Sequence, residues 1–293
     1  MPELPELEVL RRSIEQTLVG RTIVDVTVNR EECVNIPPEE YVAAVSGAKI
    51  IGARRFGKTG IVDLDNGYSL IVHLALGGLF VLADPQEFEE KHIQIAYHLD
   101  DGSTLLAAKL MLGNVHARPT AEVGGDSRIA KMGPDALDEL PSVERLAERF
   151  RTSRTGAKAF LMDQSRIGGI GNMYANEILF EARVHPATQL RALSADDIAR
   201  LHGAIEGVLE QAIAGGGAAD TVFADLDGRE TTYQEKLRVF GREGEPCPEC
   251  ACKVRMIRLA TRATYYCPKC QKKKYPRKRA TRKQTRAGTK RRG

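Results

Sequence analysis

No stretch of this sequence approaches the ~20 consecutive apolar residues that a membrane-spanning helix needs. The first residues also lack the basic and then apolar order of a secretory signal. Tryptophan is absent and aromatic residues make up only 5% of the chain, which by itself excludes no function. These absences predict an intracellular protein without a membrane partner, and its 293 residues suffice for about two domains.

Acidic residues are missing from residues 272–293, which contain twelve lysines and arginines. Residues 1–271 carry 31 basic and 39 acidic side chains, a net charge of −8, although the whole chain has a net charge of +4. A body of this charge repels a polyanion on average, so any surface for nucleic acid must be local. The final segment has the composition of a disordered basic arm.

The pattern of apolar residues divides the chain into three parts before this arm. A helix is predicted over residues 5–19, and six short strand-like runs follow up to about residue 118. Asn-Gly and Asp-Gly turns separate the runs, as in an antiparallel β-sandwich. A linker over about 119–134 leads to helical segments between residues 142 and 214. The predicted domains are 1–130, 131–236, 237–271 and 272–293.

Five of the six cysteines lie within residues 247–270, and Cys33 stands alone. An intracellular chain is not expected to hold disulfides, so a metal site is favoured. Two Cys-x-x-Cys pairs sixteen residues apart can place four thiolates around Zn²⁺. The ligands are then Cys247, Cys250, Cys267 and Cys270. Four protein ligands leave no position for water, so we predict one structural zinc ion per chain, with Cys252 outside the site.

Two further stretches allow a functional and an ordinary interpretation. The glycine-rich turn Gly168-Gly169-Ile-Gly171-Asn172 precedes a helix, for which Asn172 is a candidate N-cap. Amide groups at such a helix start bind anions, so the turn is either a phosphate site or a simple connection between helices.

The N-terminus presents Pro2 once Met1 is removed, followed by Glu3 and Glu6. A terminal proline amine titrates near neutrality and can attack an aldehyde carbon, and the resulting iminium stays cationic and accepts electrons. Glu3 is then placed to act as acid or base, with Glu6 assisting. The alternative is a frayed terminus that leads into a helix.

Three motifs occur in a fixed order: MPELPELE, GGIGNMYANEILFEA and CPEC followed by TRATYYCPKCQ. Together they resemble the formamidopyrimidine-DNA glycosylase (Fpg/Nei) family across residues 1–271. The resemblance implies an α+β fold with an N-terminal β-sandwich, a helix–two-turn–helix domain and a β-hairpin zinc finger. It also implies a monomeric bacterial base-excision-repair enzyme of the cytoplasm that binds damaged double-stranded DNA.

The resemblance assigns roles residue by residue. Pro2 matches the nucleophile that forms a Schiff base with C1′, and Glu3 matches the acid/base beside it. Lys58 matches the lysine that assists β-elimination, and Arg262 matches the arginine of the zinc finger hairpin. The expected DNA contacts are His92 and Asn172, with Arg154 and Lys158 near another family lysine.

The sequence departs from the family at the residues that fill the gap which a flipped base leaves in the duplex. The family fills this gap with a methionine, an arginine and a phenylalanine, whereas this chain has Leu76, Met111 and Leu112. Loss of the arginine removes a hydrogen-bond donor to the opposite base, which costs roughly 1–3 kcal/mol of discrimination. Leucines at these places are similar to a divergent, alkylpurine-glycosylase-like branch of the family.

Three functions are therefore compared. The leading one is a glycosylase and AP lyase that removes oxidised or ring-opened purines and cuts the strand by β- and δ-elimination. The second is a weakly active or inactive paralogue that binds damaged, distorted or branched DNA. The third, a zinc-ribbon module for protein interaction, leaves the first 240 residues unexplained.

Overall fold

The computed structural model describes residues 1–218, 224–229, 231 and 233–276. The larger part of the predicted basic arm, residues 277–293, lies outside these ranges. No helix among the described residues is both long enough and apolar enough to cross a membrane. The fold is α+β, as the sequence predicts, while the predicted domain limits at residues 130, 236 and 271 stay predictions.

Residues 1–119, all of them described, contain eight strands in two antiparallel sheets, with orders β1-β6-β7-β5 and β2-β3-β4-β8. The strands are β1 (Ile23–Val28), β2 (Ile50–Phe56), β3 (Thr59–Leu64), β4 (Tyr68–His73), β5 (Leu79–Leu82), β6 (Ile93–Leu99), β7 (Thr104–Ala108) and β8 (Asn114–Pro119). Buried apolar residues of both sheets share one core, so the sheets form a sandwich. The hydroxyls of Tyr41 and Tyr97 hydrogen-bond at 2.7 Å inside this core.

Helix α1 (Leu4–Thr17) connects the sandwich with the helical part of the chain. Leu7, Leu10 and Ile14 recur at helical spacing and lie in the sandwich core, whereas Leu4 lies in the helical core. The helix therefore fixes the start of the chain between the two cores. Pro5 occupies its second position, where the missing N–H costs no hydrogen bond.

Four helices form the second core: α3 (Val143–Phe150), α4 (Ala157–Met162), α5 (Asn172–Glu181) and α6 (Ala195–Ala214). Helix α5 is buried over almost its whole length, because α4, α6 and the C-terminal hairpin all pack on it. A capping box between Ser194 and Asp197 starts α6. The hairpin of β9 (Arg255–Leu259) and β10 (Arg262–Tyr266) follows as a two-stranded sheet.

A buried arginine joins the sandwich to the segment that leads into the helices. The Arg55 side chain is 1% exposed and donates to both carboxylate oxygens of Asp135, at 2.6 and 3.0 Å. It also donates to Glu8 of α1 at 3.2 Å. The same Asp135 accepts the N–H of Gly57 at 3.1 Å, so this ion pair also fixes the turn after β2.

The structure corrects several sequence-based limits. Strands β5 and β8 and helix α2 (Pro38–Val45) were not among the predicted elements, because their short runs carry little periodicity. The fourth predicted strand ends at His73, three residues early, since a loop crosses there to the other sheet. The arm predicted to be disordered from residue 272 is held at Lys274 by an ion pair with buried Asp197.

Replacing Arg55 by methionine is expected to destabilise the fold by roughly 3–5 kcal/mol, because it leaves buried carboxylates without their partner. Equilibrium unfolding in guanidinium chloride measures this change. The neighbouring Arg54 is the matched control, because it pairs with Asp63 but its side chain is 42% exposed. Arg54→Met is expected to cost at most about 1 kcal/mol. Equal losses in the two variants would contradict the role given to burial.

Candidate active site and zinc centre

The N-terminal segment is held against the glycine-rich turn by Glu3. Glu3 is 3% exposed, and its carboxylate accepts the N–H of Gly171 at 2.6 Å and the N–H of Met173 at 3.0 Å. The N–H of Leu4 donates to the carbonyl of Gly169 at 3.1 Å. The amides of Gly171 and Met173 lie at the positive N-terminal end of α5. They therefore stabilise the negative charge of the carboxylate beside Pro2.

This arrangement changes the interpretation of the glycine-rich turn. Gly171, rather than Asn172, is the N-cap of α5. Two of the amides expected to bind a phosphate are engaged by Glu3, so the turn positions a carboxylate of the same chain. The buried Oδ1 atom of Asn172 has no hydrogen-bond partner among the described residues.

Lys58 reaches the same place from the sandwich. It lies in the two-residue turn between β2 and β3, where Gly57 adopts a φ of 53°. This left-handed conformation favours glycine, and a Cβ at Gly57 would also lie 2.6 Å from the sulfur of Met132. The Lys58 Nζ and the Glu3 Oε1 each lie 2.4 Å from the position of a Cβ on Gly171. The ammonium and the carboxylate therefore converge on this glycine, whose lack of a side chain leaves room for both.

Glu6 lies behind Glu3 and is completely buried. Its carboxylate accepts hydrogen bonds of 2.6 Å from the Glu3 N–H, the Tyr174 hydroxyl and the Ala218 N–H. Burial raises the pKa of Glu6 to about 7, although these three hydrogen bonds oppose the shift. Glu6 thus links α1, α5 and the segment after α6 instead of facing a substrate.

The zinc finger hairpin presents Arg262 at its tip. The turn before it contains Ala260 and Thr261, both with positive φ, as a tight two-residue hairpin requires. Arg262 is exposed, whereas Lys158 lies beneath the hairpin and is 2% exposed. The Lys158 Nζ donates to the carbonyl of Ala263 and the hydroxyl of Thr264, both at 2.8 Å.

The environment of Lys158 favours a positioning role over the DNA contact predicted from the sequence. Burial lowers the pKa of Lys158 to about 8, while Glu3 opposes and Arg262 adds to this shift. Lys158 therefore connects α4 with the hairpin. Arg154, its companion in the sequence-based expectation, is exposed and lines a different cleft with Arg191 and Lys274.

The four predicted zinc ligands come together. The sulfur atoms of Cys247, Cys250, Cys267 and Cys270 all lie within 4.8 Å of one another. Two of the separations are 3.9 and 3.5 Å, close to the ~3.8 Å expected for thiolates placed tetrahedrally at ~2.3 Å from zinc. The donor set thus fits a structural zinc ion, and Cys252 is outside it, as predicted.

Two loops at one end of the sandwich carry exposed apolar side chains. Residues 74–78 and 109–113 connect the two sheets, and the pairs His73–Asn114 and Leu79–Ala108 place them side by side. Their tips are Leu76, Met111 and Leu112, which are 49%, 71% and 72% exposed. Large exposed apolar groups of this kind indicate a binding surface.

The bases of these loops are fixed, that of the first by the N–H of Gly78, which donates to the carbonyl of Leu74 at 3.1 Å. The Gln94 side chain accepts the N–H of Leu110 at 2.8 Å and donates to the carbonyl of Lys91 at 3.1 Å. The carbonyl of His92 accepts the N–H of Lys109 at 2.8 Å. His92, expected as a DNA contact, is half-buried and supports the second loop through its backbone.

Sequence reasoning missed several residues of the site. Tyr174 and Asn176 lie inside a recognised motif, yet only the fold shows that they bond Glu6 and the N–H of Tyr265. His73 is the last residue of β4, directly before the first apolar loop, and the buried Nδ1 of its ring has no partner among the described residues. Burial lowers the pKa of His73, and the nearby Arg128 and Lys58 charges add to this effect. No local sequence signal distinguishes His73 from a core histidine.

A β-sandwich and a helical domain that meet at an N-terminal Pro-Glu pair, with a four-cysteine hairpin packed on α5, define a DNA glycosylase of base excision repair. Three family models match the chain in this order. They describe a formamidopyrimidine-DNA glycosylase N-terminal domain at residues 1–109, the H2TH domain of that glycosylase at 132–223, and a zinc finger found in FPG and IleRS at 244–273.

Relatives of known name agree with the family models. The formamidopyrimidine-DNA glycosylases of Chloroflexus aurantiacus and Chloroflexus aggregans are 38% and 40% identical, over 92% of this chain and 98% of each relative. A solved complex of the Lactococcus lactis Fpg with DNA containing an abasic site is 31% identical, with a TM-score of 0.84, over 92% of this chain and 100% of that one. The chain belongs to the formamidopyrimidine-DNA glycosylase family, and it is a DNA-binding repair enzyme with a zinc finger.

The buried Glu6 predicts a defined dependence of stability on pH. Its pKa is higher in the folded chain, about 7, than the unfolded value of 4.5. Between these values the folded chain holds a proton that the unfolded chain has lost, so the Glu6 contribution to stability falls as pH rises and is level above 7. At ~1.4 kcal/mol per pKa unit the fall is roughly 3 kcal/mol.

Glu6→Gln removes this titration, so the unfolding free energy of the wild type minus that of the variant should fall by roughly 3 kcal/mol from pH 4.5 to pH 7. Guanidinium chloride unfolding at several pH values measures it. Glu15→Gln, on the exposed side of the same helix, serves as the control and should track the wild type. A difference that stays constant with pH would show that Glu6 does not hold its proton in the folded chain.

Proposed function

We propose that this chain removes damaged purines and then cuts the DNA strand, with the amine of Pro2 as the nucleophile after removal of Met1. The observation that carries the proposal is the convergence of the Glu3 carboxylate and the Lys58 ammonium at Gly171, next to Pro2. Attack of a terminal secondary amine on a sugar carbon requires an acid/base group and a cation beside the amine.

In the proposed reaction the lone pair of the Pro2 nitrogen attacks C1′ of the flipped nucleotide. The bond from C1′ to the base breaks, and the base leaves with the proton of the amine. The C1′–O4′ bond then breaks, O4′ takes a proton from Glu3, and an iminium forms between Pro2 and the opened sugar. Its positive charge draws electrons from C2′ when that carbon loses a proton to the Glu3 carboxylate. Loss of the 3′ phosphate oxygen follows as β-elimination, and loss of the 5′ oxygen as δ-elimination.

The remaining site residues have separate proposed tasks. Lys58 assists β-elimination, because its ammonium lies at the carboxylate beside the nucleophile. Arg262 faces the strand from the tip of the hairpin, and Lys158 holds that tip in place. Asn172 and His73 are proposed phosphate or backbone contacts, since each has a buried polar atom without a partner among the described residues. His92 is proposed as a backbone contact beside the second apolar loop.

Leu76, Met111 and Leu112 are proposed to fill the gap that base flipping leaves in the duplex. Their exposure and the fixed bases of their loops suit apolar groups that insert between bases. None of the three side chains can donate a hydrogen bond to the opposite base. We therefore expect the enzyme to act on lesions with little regard to the base opposite.

The second function, a paralogue that only binds distorted DNA, is less well supported. It rested on the altered wedge residues and the added basic arm, whereas the convergence of Glu3 and Lys58 at Gly171 and the naming of the relatives as glycosylases support the enzyme. We propose that the enzyme acts as a monomer in the bacterial cytoplasm. The relatives are bacterial, and the proposed site is complete within one chain.

The nucleophile is tested by borohydride trapping on duplex DNA that contains an abasic site. The iminium is reduced to a stable amine, so the processed wild type should form a covalent protein–DNA adduct. Pro2→Gly should lose this adduct. A chain that retains Met1 should also form none, because the nitrogen is then part of a peptide bond.

Pro5→Ala is the matched control, because it changes a proline in the same segment that carries no amine. It should trap DNA like the wild type. Binding without any adduct from the processed wild type would instead support the paralogue that only binds DNA.

A substitution at Met111 tests the proposed indifference to the opposite base. Met111→Arg restores a bidentate donor and should introduce a preference for cytosine worth roughly 1–3 kcal/mol, about 5- to 150-fold. Single-turnover excision rates on one lesion opposite each of the four bases measure the preference.

Met111→Leu keeps the side chain apolar and is the control for altered packing, so it should show no preference. If the wild type itself favoured cytosine more than about tenfold, another group would have to read that base.

A further inference from the structure

The glycine-rich turn between α4 and α5 carries two of the backbone contacts that hold the N-terminal segment. Its Gly169 carbonyl accepts the N–H of Leu4 at 3.1 Å, and its Gly171 N–H donates to the Glu3 carboxylate at 2.6 Å. Gly169 adopts a φ of 99°, and a Cβ there would lie 2.5 Å from the Leu4 side chain. Because glycine leaves the backbone with unusual freedom, groups outside the turn must fix its shape.

The side chain of Gln164 provides this restraint. Its Oε1 accepts the N–H of Gly169 at 2.9 Å, and its Nε2 donates to the carbonyl of Ile170 at 2.7 Å. The same Nε2 donates to the carbonyl of Met162, the last residue of α4, at 3.1 Å. The oxygen and both hydrogens of this amide group therefore join α4 to two successive residues of the turn.

Gln164 is itself held by the segment that leads from the sandwich into the helices. Its carbonyl accepts the N–H of Gly133 at 2.8 Å, just before the Asp135 that pairs with Arg55. A Cβ on Gly133 would lie 2.6 Å from the carbonyl oxygen of Ser165, so the two backbones are in close contact. The anchor of the turn is thus connected to the same segment as the Arg55 ion pair.

The path from Gln164 to the proposed chemistry is short. Gln164 fixes Gly169 and Ile170, and Gly171 follows directly with the N–H that Glu3 accepts. A turn released from Gln164 would therefore carry this amide away from the Glu3 carboxylate. Misplacement of a reacting group by about 1 Å can lower a rate by about 100-fold, so a small shift of the turn is sufficient.

We propose that Gln164 is a positioning residue for strand cleavage: its side-chain amide fixes the turn at Gly169 and Ile170, and the turn in turn keeps Glu3 beside Pro2. Gln164 acts through the backbone of the turn and through Glu3, and not on the substrate. The proposal rests on the proposed function, in which Glu3 is the acid/base group of the elimination.

Gln164→Met tests this role, because methionine matches glutamine in length but makes none of the three hydrogen bonds. The rate of strand cleavage is measured with saturating enzyme on duplex DNA that contains an abasic site, at a temperature where unfolding curves show each protein folded. It should fall by about 10- to 100-fold. Affinity for the same duplex with a reduced, uncleavable abasic site should change little, because phosphate contacts dominate the affinity for DNA.

Asn35→Leu is the matched control, since leucine is close to asparagine in shape. The Asn35 side chain also brackets backbone groups: it accepts the N–H of Ala117 in β8 at 2.8 Å and donates to the Ala117 carbonyl at 3.0 Å. Loss of these hydrogen bonds should lower stability but leave the cleavage rate unchanged. A loss of rate as large as that of Gln164→Met would overturn the positioning role.

Gln164→Glu covers the case in which the methionine variant does not fold. Its carboxylate cannot donate to the carbonyls of Ile170 and Met162, whereas its protonated form can. The ratio of its cleavage rate to that of the wild type should therefore rise from about pH 8 to about pH 5, towards the pKa of a glutamic acid. A ratio of one at every pH would overturn the positioning role.

Hydrogen exchange gives a readout that needs no DNA. The amides of Gly171 and Met173, both accepted by Glu3, should lose protection in Gln164→Met and keep it in Asn35→Leu. A wild-type cleavage rate in Gln164→Met would overturn this inference, while borohydride trapping by the wild type upholds the lyase function. If the wild type traps no DNA, the lyase function falls instead. The exchange measurement then decides alone, because lost protection supports the positioning of Glu3 by Gln164 and unchanged protection overturns it.

Discussion

The structure depends on one interaction: the Glu3 carboxylate bound by the amides at the start of α5. It places a buried charge of the N-terminal segment on the positive end of a helix from the other domain. Because Pro2 precedes Glu3 directly, the same contact fixes the proposed nucleophile. The glycine-rich turn is needed for this purpose, since a side chain at Gly171 would collide with both Glu3 and Lys58.

Further buried ionisable groups connect the parts that meet at this point. Arg55 joins the sandwich to Asp135, Glu6 joins α1 to the segment after α6, and Lys158 joins α4 to the zinc finger hairpin. Each such group is costly to bury and is stable only with its partners in place. These connections favour one arrangement of the domains over looser ones, which suits a site whose groups come from three separate parts of the chain.

If the apolar loops act as proposed, recognition of the opposite base changes there while the chemistry at Pro2 is kept. Leu76, Met111 and Leu112 lie on tips whose bases are held by Gln94 and by backbone hydrogen bonds. Substitution at such exposed tips leaves the core and the groups around Pro2 untouched. Selectivity for the opposite base can therefore diverge without loss of the fold.

The sequence by itself determined the features that depend on local spacing. The Cys-x-x-Cys pairs predicted the zinc site, helical periodicity predicted α3, and the order of three motifs predicted the family and the α+β fold. It missed β5, β8, the N-cap at Gly171 and the burial of Lys158. Only the tertiary structure decided these four features, because each of them depends on contacts between residues far apart in the chain. A helix start can bind a phosphate or a carboxylate equally well, and long-range packing selected Glu3.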